Sequence, residues 1–164
     1  MSPRTLKDRY VRELKDLYNA EKQLLETLPE MAEAADSPQL RKAFESHLKE
    51  TKQHLTKVHG LLKNLDEKPG GSSRSGMEGL LEVGGTPIAE DVSPAVRNAF
   101  LIAAAQRVER YEISGYGTAR AFARSLGRDE DAEVLDQILE QEYAADNRLD
   151  KLAEPSANEA SMRA

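Results

Sequence analysis

Residues 102–116 read IAAAQRVERYEISGY. Apolar residues recur there at steps of three and four, which is the period of a helix with one buried face. At about 100° per residue, Glu109 and Glu112 fall on the same side of this helix as Ile102 and Ile113. The stretch therefore predicts a packed helix that carries two carboxylates into the core.

The ends of this helix are marked in the sequence. Ser93 before Pro94 is typical of a helix cap followed by proline at the first helical position, and Gly127 is typical of a helix end. Another helix is predicted from about Asp129 until Pro155. Because the link between the two is short, we expect them to pack as an antiparallel hairpin.

The first part of the chain repeats this arrangement. Apolar residues at helical spacing run from Leu6 to Ala35, and a second run, capped by Ser37, extends from Pro38 through Leu62. No segment alternates as a strand would. Two helical hairpins predict an all-α, ferritin-like four-helix bundle with a long crossover connection between the second and third helices. A dimeric coiled coil is disfavoured, because short turns favour packing within one chain.

The crossover is predicted at 66–93, a stretch rich in glycine and proline. A short apolar segment around Met77 predicts one or two turns of helix inside it. The single bundle domain is expected to span 1–153, with 154–164 as a flexible tail.

Composition excludes several classes of function. The chain has 164 residues, a formal charge of −6 and no cysteine. Nucleic acid and anionic membrane surfaces are therefore not expected as partners, and thiolate metal sites are excluded. The start lacks the build of a signal peptide, and no apolar run approaches the roughly 18 residues of a membrane span. We expect a cytoplasmic protein without a membrane segment.

Inward-facing acids are predicted on all four bundle helices. Several buried carboxylates would repel each other and take up protons unless positive charge balanced them. Arg120, predicted to face inward, supplies one such charge. Two divalent cations would supply the rest, and a donor set of carboxylates with imidazole suits iron or manganese. The candidate ligands are Glu21, Glu50, His54, Glu109, Glu112, Glu142 and Asp146.

The identity of the histidine ligand stays open between two residues. Di-metal bundles place a lone Glu on each of two helices and a Glu with a His on each of the others. Here His54 follows Glu50 by four residues instead of the usual three. His47, three residues before Glu50, is the alternative, and His54 is favoured because it lies nearer the centre of the predicted face. His59 is predicted at the surface.

Three further inward polar residues accompany these acids. Gln106 and Arg120 are predicted to orient the carboxylates, and Tyr116 is predicted to pack in the core with its hydroxyl group satisfied.

Four stretches resemble the YciF-like family of bacterial stress proteins: NAEKQL at 19–24, HLKET at 47–51, MEGL at 77–80 and IAAAQRVERYEI at 102–113. The resemblance extends over about residues 5–153. It implies a ferritin-like bundle that carries a dinuclear metal centre and forms homodimers.

The function expected on these grounds is a stress-response metal protein whose two iron or manganese ions react with dioxygen or peroxide. A manganese catalase-like reaction is the nearest enzymatic alternative. A bundle without catalytic activity, with a structural metal or none, is the alternative from another class. A homodimer is also expected, because Ala99, Ala103 and Ala119 leave an apolar flank on the third helix.

Overall fold

The computed structural model describes residues 4–70, 76–89, 91–154 and 162, and for residues 83–89 it describes the backbone alone. The helices are α1 (Leu6–Ala34), α2 (Pro38–Lys63), α3 (Gly76–Ala89), α4 (Pro94–Ser125) and α5 (Asp129–Leu152). α1 packs against α2 and α4 against α5, and the two pairs meet through α1 with α4 and α2 with α5. The predicted all-α, ferritin-like bundle is confirmed. No helix within the described ranges has both the length and the apolar character needed to cross a membrane.

Side-chain caps fix where three of the bundle helices begin. The Thr5 hydroxyl accepts from the Asp8 amide at 3.1 Å, and the Asp8 carboxylate accepts from the Thr5 amide at 3.0 Å, which forms a capping box. Ser37 and Ser93 cap α2 and α4 as predicted, each followed by proline at the start of its helix.

The turn between α4 and α5 depends on Gly127. This residue has φ +69°, a left-handed conformation that other residues adopt at a cost. The amide of Arg128 then reaches back to the carbonyl of Ala123 at 2.9 Å. This end pattern closes α4 and starts α5 antiparallel to it.

The crossover connection contains more helix than the sequence predicts. α3 has 14 residues, Gly76–Ala89, instead of one or two turns. The glycines and the proline of this segment are typical of helix breaks. However, α3 packs against α4 and α1, and Met77 is fully buried there. Tertiary contacts thus outweigh local propensity. Apart from residues 154 and 162, the predicted tail lies outside the described residues.

The core is divided into two apolar clusters. One includes Leu24 and Leu101, and the other includes Leu14 and Leu135. Each bundle helix carries buried acids or histidines at the level where one cluster gives way to the other, and one further buried acid, Asp131, lies in the first turn of α5. The fold therefore places polar side chains at mid-height of the bundle, enclosed by apolar layers.

Candidate metal centre

A cluster of acids and histidines occupies the middle of the bundle. All of its members are at most 4% exposed. α1 contributes one of them, α2 two, α4 two and α5 one: Glu21, His47, His54, Glu109, Glu112 and Glu142.

The first group within this cluster surrounds His47. Its Nε2 atom lies 3.0 Å from Oε1 of Glu109 and 3.8 Å from Oε2 of Glu112. Together with Glu142, these residues offer ligand atoms that all lie within 4.8 Å of one another. One imidazole and three carboxylates from three helices therefore face a common point.

The second group surrounds His54. Its Nδ1 atom lies 3.2 Å from Oε1 of Glu21 and 2.8 Å from Oε1 of Glu142. The three ligand atoms again lie within 4.8 Å of one another. Glu142 belongs to both groups, and a carboxylate has two oxygens to share. The arrangement can therefore hold two ions linked by one carboxylate.

Most of the converging atoms have no hydrogen-bond partner among the described residues. They include both oxygens of Glu112 and of Glu142, one oxygen each of Glu21 and Glu109, both ring nitrogens of His47 and Nδ1 of His54. Buried polar atoms are normally paired, so this group needs an explanation. Neighbouring ligands around an octahedral ion with bonds of about 2.1 Å lie roughly 3 Å apart. The observed spacings thus fit a metal site.

The pKa values of the clustered groups also indicate that this site needs positive charge. Burial, together with neighbouring carboxylates, raises the pKa values of Glu109 and Glu112 well above the ordinary range. Burial also raises the pKa of Glu21. Burial opposes charge on His54, but the carboxylates of Glu142 and Glu21 raise its pKa to about 10. Burial opposes charge on Glu142 as well, but Glu109 and His54 hold its pKa at about 2. Bound protons thus take the place that a cation would fill.

Two hydrogen bonds orient the ligands. Nε2 of His54 lies 2.8 Å from Oε1 of Gln141, so an Nε2 proton is donated to Gln141 and Nδ1 is directed to the carboxylates. Metal-binding histidines are commonly held in this way. The hydroxyl of Tyr116 donates to Oε1 of Glu21 at 2.5 Å. Gln141 was missed in the sequence because it precedes Glu142 and lies off the apolar face.

Glu50 and Asp146 lie at the margin and in neither group. Oε2 of Glu50 is 3.3 Å from Nη2 of Arg148 and 3.6 Å from Nδ1 of His47. Oδ1 of Asp146 is 3.7 Å from Nε of Arg110. Of the seven predicted ligands, the structure brings together the other five, and it adds His47 to them. Both histidines left open by the sequence therefore belong to the cluster.

Two predicted inward groups do not reach the cluster. Arg120 donates to Asp136, and Gln106 donates to Oδ1 of Asp150 at 2.6 Å. Both lie at the edge of the apolar face of α4, where their long side chains reach acids on α5 instead. The predictions that Arg120 offsets the buried charge and that Gln106 orients the carboxylates are wrong. His59 is exposed, as predicted.

Comparison with known proteins identifies a matching family and a similar protein. The family described as "Domain of unknown function (DUF892)" matches residues 5–162. Protein YciF of Escherichia coli (strain K12) is 37% identical over an alignment of 166 positions, gaps included, that covers 96% of this chain and 96% of that protein.

Two solved structures are similar to this chain at 38% and 35% sequence identity. The crystal structure of the E. coli stress protein YciF aligns with a TM-score of 0.88 at 38% identity, and the alignment covers 92% of this chain and 96% of that one. YcfI of Rhodopseudomonas palustris, suggested to be a structural protein, aligns with a TM-score of 0.85 at 35% identity and covers 90% and 94%. The chain therefore belongs to the DUF892 family and is similar over nearly its whole length to the stress protein YciF.

Proposed function

We propose that this protein is a stress-response metalloprotein that binds two iron or manganese ions at mid-height of the bundle and uses them to react with dioxygen or peroxide. The observation that carries the proposal is the pair of His/Glu groups that share Glu142 and most of whose ligand atoms lack hydrogen-bond partners among the described residues. Its relative YciF is described as a stress protein, which supports the physiological setting.

Each residue has a defined part in this function. His47, Glu109 and Glu112 would hold one ion, and Glu21 and His54 would hold the other. Glu142 would serve both. A pair of ferrous ions held there would supply two electrons, which with two protons reduce dioxygen to hydrogen peroxide.

The protein also controls protons and water at this site. Glu109 and Glu112, whose pKa values are raised by burial, would release protons when metal binds. The hydrogen bonds that His54 donates to Gln141 and that Tyr116 donates to Glu21 fix two ligands in place. The apolar clusters on both sides exclude bulk water.

A second candidate function is a structural bundle in which metal serves stability alone. It is favoured by the suggested structural role of YcfI, at 35% identity. The two functions make different predictions for dioxygen consumption but the same prediction for metal binding.

Metal analysis and oxygen uptake test the proposal. Protein purified without added metal is analysed by elemental analysis, then stripped and titrated anaerobically with ferrous or manganous ions. We expect two ions per chain and uptake of dioxygen or peroxide after loading. Glu142→Gln should abolish both, whereas Glu140→Gln, an exposed acid on the same helix, should change neither. Binding without oxidant consumption would favour the structural role, and failure to bind metal would reject the proposal.

A further inference from the structure

A small cavity lies beside the His47 group. Its volume is about 20 Å³. Nine apolar side chains from all four bundle helices line it, among them Leu24, Phe44 and Val108. Among the described residues, the polar part of the lining consists of His47, Glu109 and Arg148. The cavity is therefore an apolar space that ends at two members of the candidate metal centre.

The lining selects against polar occupants. The space is larger than the roughly 10–15 Å³ that one water needs, but a buried water needs two to four polar partners around it, and this lining is mostly apolar, with its polar groups confined to three of twelve residues. Hydrogen peroxide has hydrogen-bonding groups at both ends and would lose their hydration on entry. Dioxygen has no hydrogen bonds to lose, and dry apolar cavities readily take small apolar molecules.

The outer end of the cavity carries an ion pair. The side chain of Arg148 is 41% exposed and that of Glu50 is 19% exposed, and the two lie 3.3 Å apart. Because Arg148 also lines the cavity, this pair lies between the apolar space and solvent.

We propose that this cavity binds dioxygen and delivers it to the metal centre, so that dioxygen, and not peroxide, is the oxidant that passes through it. The inference rests on the proposed function for the reaction, but the cavity itself can be tested without metal or turnover. In this arrangement, Arg148 and Glu50 close the entrance, and the apolar walls set the selectivity for a small apolar molecule.

Xenon is a direct probe of the cavity. Crystals of the full-length protein pressurised with xenon should show it between Leu24, Phe44 and Val108. Ala43→Leu places a larger side chain in the wall and should remove that xenon peak. Ala95→Leu, at another half-buried alanine that does not line the cavity and lies outside the proposed dimer contact, should retain it. Wild-type crystals without xenon at this position would overturn the proposal.

Reaction of anaerobically ferrous-loaded protein separates the two oxidants. Ala43→Leu should slow oxidation by dioxygen about tenfold, equal to ~1.4 kcal/mol in the barrier, and leave oxidation by hydrogen peroxide within about twofold. Ala95→Leu should alter neither rate. An unchanged rate with dioxygen, or equal slowing with both oxidants, would overturn the proposal. Xenon in the cavity of a protein that binds no iron would reject the proposed function but retain the apolar binding site.

Discussion

Nδ1 of His54 lies 2.8 Å from Oε1 of Glu142, and neither atom has a hydrogen-bond partner of good geometry among the described residues. Such an approach between a ring nitrogen and a carboxylate, outside hydrogen-bond geometry, is expected when both are directed at a third body. The contact joins α2 to α5 in the middle of the bundle. A metal ion bound by both side chains would therefore also link the two helical hairpins.

Replacing Glu109 by Gln distinguishes a metal centre from a set of buried acids. The amide keeps the shape and removes one charge, so metal affinity should fall. At a metal concentration 100-fold above the dissociation constant, bound ligand stabilises by about 2.7 kcal/mol, so Glu109→Gln should melt about 5–10 °C lower than wild type in metal-containing buffer.

The same variant should behave in the opposite way without metal. Burial raises the pKa of Glu109, so its charged form is unfavourable in the metal-free protein, and Gln removes that cost. Calorimetry in chelator should then show equal or higher stability than wild type. Lower stability in chelator, with no difference in metal, would contradict the assignment of Glu109 as a ligand.

The stability of the metal-free protein should fall as pH rises from about 4.5 to 10. Glu21, Glu109 and Glu112 have raised pKa values, so their contribution is complete below the ordinary value of 4.5 and is lost above it. His54, with a pKa of about 10, stabilises fully below 6.5 and loses that contribution up to 10. The lowered pKa of Glu142, about 2, acts only at acidic pH, where its contribution is lost as pH falls.

Metal affinity should rise over the same pH range, because the cation displaces these protons. The difference in melting temperature between metal-loaded and metal-free protein should widen from pH 5 to pH 8 at about constant free metal. Titration calorimetry in buffers of different ionisation enthalpy measures the protons released. A binding enthalpy independent of the buffer would show that no protons leave and would contradict this mechanism.

The general position of this cluster could be predicted from the sequence. When the apolar face of a helix packs into the core, every residue on that face is buried with it, including the acids. Glu21, Glu109 and Glu142 each lie on such a face, and the helical period alone brings them inward. Glu50 shows where this reasoning stops. At the edge of a face, a side chain can turn inward or outward, and Arg148 draws Glu50 outward.

Helical periodicity does not predict which helices contact each other. Gln141 reaches His54 across the bundle, and α3 owes its length to packing on α4 and α1. Both depend on which surfaces meet in three dimensions. The apolar cavity is likewise a property of all four helices together.

Removing the amide of Gln141 should weaken the second metal position. Without its acceptor, Nε2 of His54 loses the bond that directs Nδ1 to the carboxylates, and loss of such a partner costs about 10–100-fold in metal affinity. Gln141→Ala should show this loss in an anaerobic competition titration, while the metal-free protein keeps its fold by circular dichroism. Gln137→Ala, an exposed glutamine on the same helix that bonds Lys57, is the matched control. Equal affinities for the two variants would show that the Gln141 bond does not orient the ligand.

The surface of α4 predicts self-association, though through fewer residues than the sequence suggests. Ala119 is fully buried, while Ala99 and Ala103 are half-buried and Phe100 between them is 46% exposed. An exposed aromatic flanked by small residues is a typical centre for a helix-to-helix contact, and a symmetric pair would cover it on both chains. We therefore expect a homodimer by light scattering at micromolar concentration.

Phe100→Glu should shift this homodimer towards monomer, because two like charges would meet at the twofold axis. Leu6→Glu, at an exposed apolar residue at the far end of the bundle, should leave the mass unchanged. A wild-type monomer, or equal dissociation by both variants, would exclude this face of α4 as the contact.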